Sequence, residues 1–239
     1  MTYGSQSMTR ARVDSGGVDA RTEIWYLMRP NPGTFAITLR GSRVTTITAG
    51  AMTWSNVDVS GIGNIAGSTG WGSYTSTSIA TNTGQIVIDV TGLQGEVDYY
   101  DPLGTGQTLR WKQFQTLAAA VGSSTTAGAS STTVIWNHRA ENWAHSLMAI
   151  KPLSGSGESI PSSVDLGCDL PPAPGSPGID TRMVSSPMTA NGSTVYTLIS
   201  NVKVTYPDSR YYDSPALIAF QEALVNQTGS RAGQYRGRF

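Results

Sequence analysis

Short alternating runs of apolar and polar residues dominate the first 152 positions of the chain. In the run 34–39, Phe35, Ile37 and Leu39 fall on one face of an extended strand and smaller residues fall on the other. Residues 85–90 have the clearest pattern of a buried strand. Glycine, proline and asparagine separate the runs, and these are the residues that turns favour. The pattern therefore predicts an all-β, antiparallel fold.

The same reasoning predicts strands over 22–28, 44–57, 73–79, 132–136 and 143–150, and one or two more over 194–206. A glycine-rich connection is expected at 61–70, and a turn carrying His138, Arg139 and Glu141 is expected between the two strands at 132–150. In the segment 108–121 large apolar residues stand three apart, which is helical spacing, but the segment is equally able to pair as a strand. Turns every 8–15 residues favour a β-sandwich.

Composition divides the chain into three parts. Residues 1–152 form the expected sandwich domain, and residues 153–180 are an arm or linker rich in proline, serine and glycine. Such an arm buries too little apolar surface to offset its ordering entropy alone. Residues 181–239 are expected to be a small strand-plus-helix segment that docks on its own sandwich or on a neighbouring subunit.

One short helix is predicted in this last segment. Ser214 is a suitable N-cap and Pro215 suits the first helical position. Leu217, Phe220 and Leu224 would then line one face. A helix of this length is marginal by itself, so its apolar face is expected to be an interface. The basic tail adds three more candidate interface residues, Arg231, Arg236 and Arg238.

Charge and cysteine content exclude several classes of protein. Sixteen basic and sixteen acidic residues balance to zero net charge, which disfavours binding to nucleic acid. The single cysteine, Cys168, rules out an intrachain disulfide. The N-terminus lacks the apolar segment of a secretion signal. The sequence contains no run of 18 apolar residues, so no membrane insertion is expected.

Few residues suggest chemistry. Asp98 and Asp101, near Asp89 and Glu96, are candidates for a Ca²⁺ site because carboxylates beside loop carbonyls suit that ion. No other cofactor is expected. His138 and His145 lack the spacing of a zinc site and are expected to be a turn residue and a strand residue. Nucleophile motifs and phosphate-binding loops are absent from the sequence, so no enzyme is predicted.

The aromatic residues Trp71 and Tyr74 are the candidate ligand-binding residues. Glycines flank Trp71 and leave its ring uncovered, whereas Trp25 and Trp54 lie in apolar strands and are expected in the core. An exposed tryptophan stacks on sugar rings or anchors a subunit contact, and the contact is favoured here.

Six segments of the first 152 residues follow one another in a recognisable order: Thr2–Thr9, Glu23–Pro30, Pro32–Thr38, Ala49–Val57, Gln85–Val90 and Trp143–Pro152. In this order and spacing they resemble a concanavalin-like or jelly-roll β-sandwich module of bacteriophage structural proteins and prokaryotic surface proteins. Such modules have a strand before the Thr2–Met8 region, and its place is expected to be taken by the strands near 194–206 or by another subunit.

The resemblance implies a non-enzymatic virion component: a capsid decoration protein, a head fibre, or a tail or baseplate protein. Its partners would be other virion proteins and copies of itself, assembled in the host cytoplasm. A carbohydrate-binding adhesin that recognises a host surface glycan is the first alternative. A polysaccharide-cleaving enzyme on the same fold is the second.

Overall fold

In the computed structural model, every regular element of the described residues is a β-strand. The structure describes residues 1–16, 20–40, 45–55, 57–95, 99–115, 119–153, 178–184, 188–190, 196–204 and 217–225. Its strands are β1 (Thr2–Tyr3), β2 (Gln6–Ser7), β3 (Thr9–Gly16), β4 (Ala20–Met28), β5 (Gly33–Leu39), β6 (Thr45–Ser55), β7 (Ile65–Ala80), β8 (Ile86–Gln94), β9 (Tyr100–Pro102), β10 (Thr108–Gln115), β11 (Ala119–Ala127), β12 (Ser131–Ile150), β13 (Gly178–Val184), β14 (Met188–Ala190), β15 (Tyr196–Val204) and β16 (Leu217–Val225). All pairings between them are antiparallel, so the predicted all-β, antiparallel class is confirmed.

The strands form three sheets. Sheet I has the order β15-β5-β1-β2. Sheet II has the order β13-β6-β16-β4-β3, with β14 also on β6. Sheet III has the order β10-β11-β8-β12-β7, with β9 also on β12.

Alternation along β6 places sheet II in the middle of the stack. Ile47, Ala49 and Ala51 pack with Tyr3 and Ile37 of sheet I. The opposite face of β6 contributes Met52 and Trp54 to a second core, which is shared with sheet III. The buried members of this core are Ile24, Met52, Trp54, Val57, Ile88, Val90, Trp111, Val121, Met148 and Ile150. Two sheets with side chains from both inner faces in one core give the molecule its sandwich character.

Sheet III also curls on itself, because its β7–β12 ribbon is sharply bent. Ser68 and Thr77 lie nine residues apart in β7, roughly 30 Å in an extended strand, yet their hydroxyls are hydrogen-bonded. The bend coincides with Gly72, whose φ of 147° glycine tolerates, and with an irregularity between Asn137 and Glu141 of β12. A third core fills the concave side, with Leu93, Tyr100, Val134, Trp136, Trp143 and Leu147 among its members.

Two local expectations were wrong, and one alternative that the sequence left open was decided. The segment 132–150 is one continuous strand, so His138, Arg139 and Glu141 lie within β12 and not in a turn. Half of the expected glycine connection belongs to β7, which begins at Ile65. The open segment 108–121 contributes two strands, β10 and β11, which pair with each other.

The predicted C-terminal helix is also wrong. Leu217, Phe220 and Leu224 belong to β16, which pairs along its whole length with β4 on one side and β6 on the other. A short helix satisfies its backbone internally but is marginal alone. A strand inserted between two others satisfies its backbone on both edges, which stabilises this alternative.

The strand at 196–204 pairs with the same chain, but not at the expected position. It adds to β5, whereas the Thr2–Tyr3 strand lies on the other side of β5. The buried side chains Ile199 and Val202 join the first core, and Tyr3 donates its hydroxyl hydrogen bond to the Val202 carbonyl. Sheet I therefore joins strands from the N-terminal region of the chain to a strand about 160 residues further on.

Candidate functional site

The bend of the β7–β12 ribbon displays the two aromatic residues that the sequence singled out. Trp71 is 69% exposed and Tyr74 is 60% exposed, the highest fractions among the large hydrophobic side chains described. They stand on either side of the bent backbone at Gly72, opposite Asn142 and Asn137 of β12. The predicted exposure of Trp71 is confirmed, and so is the burial of Trp54.

Tyr74 belongs to a polar row across the four strands β7, β12, β9 and β10. Asn137 is the register partner of Tyr74 in β7 and also of Asp101 in β9. Directly paired residues of neighbouring strands lie on the same face of a sheet. Tyr74, Asn137 and Asp101 therefore share the outer face, and Lys112 completes the row through its 2.8 Å ion pair with Asp101.

This row combines one aromatic ring with both hydrogen-bond donors and hydrogen-bond acceptors. The amide of Asn137 donates and accepts, the carboxylate of Asp101 accepts, and the ammonium of Lys112 donates. The Asp101 side chain is 56% exposed, so the row is open to solvent. The arrangement suits a polar, hydroxyl-rich ligand or a polar protein surface.

The described carboxylates do not converge on a cation site, and the part of the candidate site formed by Glu96 and Asp98 lies outside the described residues. Asp101 is engaged by Lys112, and Asp98 lies outside the described residues. Asp89 is buried in β8, as the strand predicted at 85–90 implies. Within the described ranges, no group of three or more His, Cys, Asp or Glu side chains is placed to share a metal ion.

Sequence reasoning missed a buried polar network around Asp89. The backbone N–H and the hydroxyl of Ser124 each donate to Asp89 Oδ1 at 2.6 Å. The indole N–H of Trp136 donates to Oδ2 at 2.6 Å, and His145 Nε2 lies 3.1 Å from the same oxygen. The available signal was a carboxylate and a histidine on the inward positions of otherwise apolar strands.

Asp89, His145 and Thr77 form a line of carboxylate, imidazole and hydroxyl. His145 Nδ1 lies 2.9 Å from Thr77 Oγ1, so the order resembles that of a hydrolase triad. Asp89 is only 1% exposed and His145 is fully buried, so the line is shielded from solvent in this structure. Its role is to hold the bent ribbon against β8, because His145 connects Asp89 of β8 to Thr77 beyond the bend.

His138 performs a similar task on the other half of β12. Its Nδ1 donates to the Arg139 carbonyl at 2.7 Å, and Thr75 donates its hydroxyl hydrogen to Nε2 at 2.9 Å. Burial lowers the pKa of His138 below its ordinary value, while the bond to the Arg139 carbonyl partly opposes that shift and the nearby His145 adds to it. His138 is therefore a neutral structural group at neutral pH.

The remaining candidate residues divide into two groups. Leu217, Phe220 and Leu224 lie in an interior strand of sheet II, paired on both edges within this chain. Arg231, Arg236 and Arg238 lie outside the described residues.

Comparison of this chain with protein-family models, with curated proteins and with solved structures finds no match. The resemblance to a phage or surface-protein module therefore stays a prediction. In the part of the chain that the structure describes, no helix is long and apolar enough to cross a membrane.

Proposed function

We propose that this protein is a non-enzymatic structural component of a phage-like particle: a capsid decoration protein, a head fibre, or a tail or baseplate protein. The observation that carries the proposal is the display of Trp71, 69% exposed, at the bend of the β7–β12 ribbon. Tryptophan is enriched among the residues that dominate protein contacts. At this position it is an anchor for a neighbouring virion protein.

The support under Trp71 fits that role. The Ser68–Thr77 hydrogen bond holds the bend. Gly70, the residue before Trp71, is paired with Trp143 of β12. An anchor on a rigid element loses less conformational freedom when it binds. The concanavalin-like or jelly-roll identity of the module is part of the same proposal.

Density-gradient sedimentation of particles released from lysing cells that carry the gene tests this role. We expect the wild-type protein to sediment with DNA-containing particles. Trp71→Ala should shift it to the top of the gradient, because the contact loses its anchor. Leu103→Ala, which removes another exposed apolar side chain, is the matched control and should sediment like the wild type. Wild-type protein that never enters the particle fraction contradicts the proposal.

A carbohydrate-binding adhesin is the second candidate, and the Tyr74–Asn137–Asp101 row favours it. Sugar hydroxyls would bond to the amide and the carboxylate while a sugar ring packs on Tyr74. The same protein preparations on a glycan array decide between the two. Binding that Tyr74→Ala removes and Trp71→Ala preserves would favour the adhesin.

A further inference from the structure

The outer edge of β7 departs from the way proteins usually protect an edge strand. β7 is sixteen residues long, from Ile65 to Ala80, and contains neither a charged residue nor a proline. It ends the strand order of sheet III, and no strand of the described chain pairs with its outer edge. Exposed edges of this kind are templates for pairing with another chain.

The other edge strands of the described chain show the contrast. β2 has two residues, and β9 and β14 have three each. The longer ones, β3, β10, β13 and β15, all include charged residues, namely Arg10, Arg12, Asp14, Arg110, Lys112, Asp180, Arg182 and Lys203. Short length and charge are two of the usual protections against edge pairing, and a bend is a third. Among the described edge strands only β7 lacks the first two, and its bend lies at Gly72, before residues 74–80.

Two hydrogen bonds at the end of β7 establish which backbone groups point outward. The N–H of Thr81 donates to the Ser130 carbonyl, so residue 81 faces β12. The carbonyl of Ala80 instead accepts a hydrogen bond from the Asn64 side chain and points away from β12. Because the direction alternates along a strand, Tyr74, Ser76 and Ser78 turn both N–H and C=O to the free edge. Their side chains are exposed, while Thr75, Thr77 and Ile79 between them are buried.

We propose that this edge pairs antiparallel with β7 of a second copy of the chain, about a two-fold axis at Ser76. Ser76 then faces Ser76 of the second copy, and Tyr74 faces Ser78 of the second copy. Each facing pair exchanges two backbone hydrogen bonds, about six in total. Sheet III becomes continuous across the dimer.

The absence of charge on β7 favours a second copy as the occupant. A two-fold axis brings each strand against itself, so a charged edge strand tends to bring like charges together, which is destabilising. On β7 the facing residues are serine and tyrosine, which are neutral and pair without that cost. This inference rests on the proposed assembly role and deepens it, because it names a second copy of the chain as one partner.

Ser76→Pro is the decisive variant. Proline removes the outward N–H but leaves the β7–β12 ladder intact, because Ser76 does not donate to β12. The two-fold axis doubles the loss, so the dimer dissociation constant should rise roughly 30-fold. Ser76→Thr keeps the N–H and is the matched control. Sedimentation equilibrium measures both, and circular dichroism confirms that the variants fold.

A charge exchange provides an independent test. Ser76→Lys and Ser76→Glu should each be monomeric alone, since like charges face each other at the axis. A mixture of the two should form a heterodimer, because lysine then faces glutamate. Wild-type protein should also show protection of the Ser76 amide from hydrogen exchange that increases with protein concentration.

Three results would overturn the inference. The first is a dimer that survives Ser76→Pro unchanged, which would locate the contact elsewhere. The second is a monomer whose Ser76 amide exchanges freely at every concentration. The third is a monomer in which this amide is protected, which would mean that the chain covers its own edge. Since the particle role is tested on Trp71, either proposal can fail while the other stands.

Discussion

Replacing Asp89 by asparagine tests whether the buried network holds the curled sheet together. The amide oxygen of asparagine still accepts both hydrogen bonds from Ser124. The amide nitrogen takes the place of Oδ2, where Trp136 donates. An indole N–H can only donate, so the substitution leaves it buried without an acceptor.

The structure sets the size of the effect. An orphaned buried donor costs about 1–3 kcal/mol. The two bonds from Ser124 lose their charge assistance and weaken by about 1 kcal/mol more in total. His145 is able to adapt, because its Nε2 accepts a hydrogen bond when the proton moves to Nδ1. The free energy of unfolding should therefore fall by about 2–4 kcal/mol, a large part of the ~5–15 kcal/mol typical of a domain.

Urea unfolding followed by far-ultraviolet circular dichroism measures this loss, and the midpoint should fall by about 1 M or more. Asp101→Asn is the matched control, because it makes the same chemical change on a side chain that is 56% exposed and has an ion pair with Lys112. That control should cost less than about 1 kcal/mol. If both variants unfold at the same urea concentration, the carboxylate of Asp89 does not stabilise the fold as argued.

Two further variants probe the packing. In the folded state the pKa of His138 lies below its ordinary value of 6.5. As the pH falls through 6.5, the unfolded chain therefore binds more protons than the folded chain, and the free energy of unfolding should decline between about pH 7.5 and pH 5.5. His138→Gln should flatten this decline when urea unfolding is measured at about pH 7.5 and at about pH 5.5, and an unchanged decline would contradict the assignment. Gly50→Ala should cost about 1–3 kcal/mol because the added methyl group overlaps the Trp111 indole. The cost should be smaller in a Trp111→Leu background, and equal costs in both backgrounds would refute the overlap.

Much of the fold was predictable from local pattern. Alternation at Phe35 to Leu39 and the apolar run at Ile86 to Val90 located β5 and β8, since the period of side-chain direction is a property of the strand itself. The exposure of Trp71 followed from its glycine neighbours in the same way. These features depend on neighbours along the chain and need no knowledge of the partner strand.

Features that depend on contacts with distant strands of the chain could not be predicted from the local sequence. The spacing of Leu217, Phe220 and Leu224 fits a helix, and only the space between β4 and β6 makes 217–225 a strand. The hydrogen-bond network of Asp89 was not predicted, because its partners on Ser124, Trp136 and His145 are 35 to 56 positions away.

The amino-acid sequence by itself determined the strand-rich class, the main strands of the first 152 residues and the aromatic pair at the ribbon. The tertiary structure alone decided the three-sheet order, the bend that brings Ser68 to Thr77, and the burial of Asp89 with His145. The physical reason is that side-chain alternation is local, whereas hydrogen-bond partners and burial depend on contacts between residues far apart in the chain.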